Sequence, residues 1–188
     1  MNKYSTLTLF FFILLLSSAV NAATLNSCTV RNTQCSAGEL TLFKLSSSTN
    51  AHAELASQNN YNYLVCCSGT SLSNTCSASA SIVLALSTTT NAHVEQNDQG
   101  NYVNNVCLDT IDSNSVTCSY SNDCRTLGPN HQCVAEISSV TNAHIGDCNS
   151  PYTIKVCCAT FGAGGTTPSR LYLRSFPIII PADGVSES

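Results

Sequence analysis

The chain has 188 residues, a formal net charge of -4 and no basic run, which argues against nucleic acid and anionic membrane surfaces as partners. Ser, Thr and Asn occupy polar positions that Lys and Glu usually take, so the surface suits stacking against other copies of itself more than long-range steering. No Asn-x-Ser/Thr sequon occurs, so any glycan is expected on Ser or Thr.

Residues 1–22 read as a secretory signal. Lys3 supplies the positive end, Leu7 to Leu16 a short apolar run, and Val20-Asn21-Ala22 the small residues of a cleavage site. The run is too short for the ~20 residues that a bilayer requires. No later segment is long and apolar enough to cross a membrane, so no transmembrane segment is expected in the mature chain. The expected address is secreted or extracellular, on a cell-surface appendage or free.

One stretch is then written three times. The copies are Ser47-Ser48-Thr49-Asn50-Ala51-His52, Thr88-Thr89-Thr90-Asn91-Ala92-His93 and Ser139-Val140-Thr141-Asn142-Ala143-His144. Each is followed by a tyrosine five residues ahead of a cysteine: Tyr61 and Cys66, Tyr102 and Cys107, Tyr152 and Cys157. Agreement in both type and spacing marks an internal triplicate. The units are repeat one at 23–69, repeat two at 70–112 and repeat three at 113–160, followed by a tail at 161–188.

Repeat one offers Leu40 to Leu45 as a strand that alternates with one break, then Ala53 to Leu55, then Tyr61 to Cys66. Repeat two follows with Ser81 to Leu86 and Gly100 to Val103. Repeat three gives Val134 to Ile137 and Tyr152 to Val156. These are β-branched and aromatic runs bounded by Asn, Ser, Gly and Asp, without a helical period. The fold class is all-β: disulfide-rich, immunoglobulin-like sandwich modules built from the three repeats. The chain has no tryptophan to cover a buried bridge as that fold does.

All twelve cysteines lie in the mature region, and export implies disulfides. Repeat spacing pairs Cys35 with Cys66, Cys76 with Cys107, and Cys124 with Cys157. Repeats one and three each carry two more, Cys28 with Cys67 and Cys118 with Cys158. Repeat two lacks both members together, with Leu108 read in the vicinal place and Gly69 in the upstream one, as a bonded pair predicts. Cys133 and Cys148 remain and flank the third turn, which they can staple. Every repeat then closes on itself. A zinc cluster of Cys and His is disfavoured, because the knuckle spacing is missing.

The Thr-Asn-Ala-His motif reads as a turn, since Asn tolerates the left-handed conformation and Thr can bond a turn backbone. Asn50 and His52, Asn91 and His93, and Asn142 and His144 are its recurring members. The histidines are expected to bond a neighbouring strand or loop; a shared metal site and a ligand site are the alternatives. His131 stands outside the pattern and is expected to be exposed. Carboxylates are scattered singly (Glu39, Glu54, Glu95, Asp109, Asp112, Asp123), and no catalytic motif occurs. No enzyme, cofactor or resident metal is expected.

The tail holds a Gly-rich connector and then an apolar run in which Leu171, Leu173, Phe176, Ile178 and Ile180 form a candidate donor strand. Pro177 and Pro181 limit it to an edge or an irregular run. The segment from Ala23 to Val30 is the alternative donor.

Over residues 28–160 the Thr-Asn-Ala-His…Tyr…Val-Cys-Cys pattern resembles that of exported microbial repeat proteins. In plan the chain is also similar to pilus and fibril subunits built by donor-strand exchange. That resemblance implies a structural subunit whose terminal strand completes the sheet of another copy, giving a homopolymer or surface layer. A monomeric adhesin or carbohydrate-binding module is the competing expectation.

Overall fold

The computed structural model describes residues 23–77, 80–112 and 114–162. The expected signal and the candidate donor strand lie outside them.

The alternating runs form antiparallel strands, and each repeat builds its own sheet. In repeat one, β1 (Thr24–Arg31), β2 (Glu39–Leu45), β3 (Ala53–Leu55) and β4 (Tyr63–Thr70) lie in the order β1-β4-β2-β3. Repeat two has β5 (Leu72–Ser73), β6 (Ser81–Leu86), β7 (Val94–Glu95) and β8 (Asn104–Thr110), ordered β5-β8-β6-β7. Repeat three has β9 (Ser115–Ser121), β10 (Gln132–Ile137), β11 (Ile145–Gly146) and β12 (Ile154–Phe161), ordered β11-β10-β12-β9. A short 3-10 turn, Cys124–Thr126, joins β9 to β10. The plan is therefore the same three times, with an outer strand, two central strands and a short inner strand.

The break in alternation at Leu42-Phe43 has a structural cause. A β-bulge falls between Thr41 and Phe43 on β2, and matching bulges fall between Ile82 and Leu84 and between Cys133 and Ala135. The extra residue lets two neighbours, Leu42 and Phe43, both turn inward at 2% and 0% exposure.

One core serves all three repeats. Leu45, Leu86 and Ile137 occupy matching positions and join a single buried cluster with the central valines Val65, Val106 and Val156. The repeats are therefore not separate small domains. Nothing in this ring of three sheets identifies an immunoglobulin-type sandwich.

The disulfides join Cys28–Cys67, Cys35–Cys66, Cys76–Cys107, Cys118–Cys158, Cys124–Cys157 and Cys133–Cys148, all within repeats. Successive strand residues face opposite ways, so the vicinal cysteines serve different layers. Cys67 and Cys158 belong to the core cluster with their partners Cys28 and Cys118. In repeat two the corresponding core place is filled by Leu108, which is fully buried.

Contacts between repeats run in a cycle. The outer strand β1 packs on β10 and β12 of repeat three, and β9 of repeat three packs on β6 and β8 of repeat two. The Tyr120 hydroxyl on β9 donates to the Val83 carbonyl and accepts from the Asn97 N–H, tying the second of these joints at 2.7 Å each. One expectation is corrected here. Thr24–Arg31 is not free to be donated, because it pairs with β4 along its length and is bridged to it through Cys28.

Candidate functional site

The three repeated turns meet at the axis of the ring. Each begins on a closed loop in which the Ser46 N–H donates to the His52 carbonyl and the His52 N–H donates to the Ser46 hydroxyl, both at 3.0 Å. Ser87 with His93 and Ser138 with His144 repeat the exchange. The asparagine takes the left-handed conformation each time, with φ of 48°, 48° and 47° at Asn50, Asn91 and Asn142. That conformation turns the chain so that the next three residues run alongside the neighbouring repeat.

Those residues close the ring with backbone bonds. Ala51 exchanges N–H···O=C bonds with Ile145, Ala53 with Ala92, and Val94 with Ala143, at 2.8 to 3.1 Å. The alanines at 51, 92 and 143 are fully buried, as backbones this close at an axis demand a small side chain. Between each pair of bridging residues sits the histidine.

His52, His93 and His144 therefore come from different repeats yet stand together, with ring centroids 4.6, 5.2 and 5.0 Å apart. One ring nitrogen of each lies within 4.8 Å of those of the others. Nδ1 of His52 meets Oδ1 of Asn91 at 2.6 Å, Nδ1 of His144 meets Oδ1 of Asn50, and Nδ1 of His93 meets the Asn142 carbonyl at 3.2 Å. Each of these oxygens can only accept, so each Nδ1 carries its proton and each Nε2 keeps a lone pair. Burial, followed by the charges of His93 and His52, holds the His144 imidazole below its ordinary pKa.

A further shell fixes the asparagines. The Tyr61 hydroxyl donates to Asn91 Oδ1 at 2.9 Å and the Tyr152 hydroxyl to Asn50 Oδ1 at 3.1 Å. In two repeats the tyrosine loop is held by a buried carboxylate two residues past the histidine. Glu54 accepts from the N–H groups of Asn60 and Tyr61 at 3.0 and 2.9 Å, and Glu95 accepts from the N–H of Tyr102 at 2.6 Å. Repeat three has Gly146 at this place, where an added Cβ would fall 2.0 Å from the Ser150 hydroxyl.

A second feature lies at the joint between repeats two and one. In repeats one and three the outer strand flanks the last strand through seven residue pairs each. In repeat two only Leu72 and Ser73 do so, against Thr110 and Asp109. Leu72 stands where Leu25 stands in repeat one, but Cys76 follows four residues later, whereas Cys35 follows Leu25 by ten. The outer strand has been shortened, and Asn104 to Leu108 of β8 has no strand on that side among the described residues. A groove of about 210 Å³ runs there, lined by Leu42, Leu55, Asn74, Asn105, Val106 and Cys107. Val103 and Ile111, immediately before and after β8, are 85% and 77% exposed.

The histidines expected in separate turns thus converge, each bonded to a neighbouring repeat. His131, expected to be exposed, is half-buried with its ring edge-on to Phe161. The roles of Glu54 and Glu95 were missed when the acids were read as scattered, although His-x-Glu recurs in two repeats. No helix among the described residues is long and apolar enough to cross a membrane. No protein-family model, curated protein or solved structure matches the chain.

Proposed function

We propose that this chain is an extracellular structural subunit that assembles with copies of itself by β-strand addition. The observation that carries this reading is the stretch of β8 that has no strand beside it among the described residues, at a place filled by the chain's own outer strand in the other two repeats. An edge of five residues with a groove of mixed polarity beside it, Val103 exposed just before it and Ile111 exposed just past the end of β8, offers backbone bonds and side-chain contacts together. The occupant is the tail of another copy, in which Leu171 and Leu173, and then Phe176, Ile178 and Ile180, supply apolar side chains two residues apart within each group. Six disulfides and a hydroxyl-rich, weakly charged surface suit an exported, long-lived assembly.

Sedimentation of the mature chain, beside a form ending at Gly162, tests the reading. The full chain is expected to form concentration-dependent oligomers and the truncated one to remain a monomer. A labelled peptide covering 168–181 should bind the truncated chain, and Ile111→Lys should weaken it. A mature chain that stays monomeric at high concentration overturns the proposal, and so does binding that Ile111→Lys leaves intact. A monomer whose truncated form still takes up the peptide means that the tail completes its own molecule, which also refutes assembly.

A further inference from the structure

We propose that His52, His93 and His144 form a binding site for one divalent transition-metal ion of the zinc class, with Nε2 of each as ligand. This inference is independent of strand addition.

Three observations carry it. One ring nitrogen from each histidine lies within 4.8 Å of those of the other two, so a point at their centre is at most ~2.8 Å from each, under an ångström beyond the ~2.0 Å of a zinc–imidazole bond. Each Nδ1 is spent on an asparagine oxygen, and this outer hydrogen bond is how ligating histidines are aimed and kept in the Nδ1–H tautomer. Tyr61 and Tyr152 in turn fix two of those asparagines.

A cation that accepts three lone pairs turns the juxtaposition into a bond between repeats. Neutral nitrogen donors select zinc, cobalt, nickel or copper over calcium and magnesium, which prefer oxygen. Three protein ligands leave a fourth position for water or an exogenous donor. Because each ligand comes from a different repeat, the ion would rivet the ring at its axis.

The test uses the full mature chain without an affinity tag, stripped with chelator and dialysed against zinc chloride. One zinc per chain is expected, with calcium and magnesium failing to compete, and cobalt(II) giving the visible absorption of a four-coordinate ion. His93→Ala should weaken zinc binding at least 100-fold while its melting in chelator stays close to the parent. Asn91→Gly, which acts through His52 as a positioning residue, should weaken it about 10- to 100-fold. His131→Ala should leave it unchanged. If His93→Ala does not fold, His52→Gln serves in its place, keeping an amide N–H to bond the neighbouring repeat. Failure to retain zinc, or retention in the His93 or His52 variant equal to that of the parent, overturns the site.

Discussion

The Nδ1 proton of His52 is given to Oδ1 of Asn91, a residue 39 positions further along and in the next repeat. The same asparagine carries a left-handed backbone, with φ of 48°. One side chain therefore makes the turn of its own repeat and orients the histidine of another.

Replacing Asn91 separates these two roles. Asn91→Ala loses the bonds to His52 and Tyr61 and strains a left-handed residue, so we expect a loss of about 2 kcal/mol. Asn91→Gly keeps the backbone and loses only the bonds, and should cost about half as much. Urea denaturation followed by circular dichroism measures both. Equal losses would show that the backbone conformation contributes nothing at this place.

The core bridge of repeat three can be exchanged for what repeat two already uses. Cys118→Ala with Cys158→Leu imitates the position of Leu108 while opening a loop with a sequence separation of 40. The variant should fold and lose about 2–4 kcal/mol. A non-reducing peptide map of the parent should recover no free thiol at Cys28, Cys67, Cys118 or Cys158. Recovery of one there would undo the pairing.

Stability should fall in two steps as the solution is acidified. His144 is held below its ordinary pKa by burial and by His93 and His52, so the unfolded chain takes up its proton first. The contribution is complete above the unfolded value of ~6.5 and is lost as pH falls through the folded one. A second loss belongs to Glu39, Asp112 and Asp123, lowered chiefly by the backbone N–H groups of Ser36, Asn114 and Arg125. Their contribution is present above ~4 and disappears as pH falls through the folded values. Melting temperature measured from pH 8 to pH 2 should show both steps, and His144→Gln should remove much of the first.

The outer strands show where local pattern stops being informative. On β1 a bulge between Leu25 and Ser27 sets the inward residues Leu25 and Cys28 three apart, so the two-residue alternation disappears from a polar stretch. On β9 the alternation of Val116, Cys118 and Tyr120 is intact, yet three apolar positions in a serine-rich run are a weak signal. The shortening in repeat two was likewise written as a spacing between Leu72 and Cys76. It acquired meaning only once β1 and β9 were seen to be strands.

By itself the sequence determined the triplication, the all-β class, which cysteines could match by spacing, and the left-handed turn at each Thr-Asn-Ala-His. All of these rest on relations inside one repeat, where chain geometry ties spacing to position. The tertiary structure alone decided that three turns share an axis, that His52, His93 and His144 meet there, and that Asn104 to Leu108 of β8 has no strand on one side among the described residues. Such facts depend on how whole sheets close on one another, and the closure is set by packing between residues from 39 to 94 positions apart, which no local period encodes.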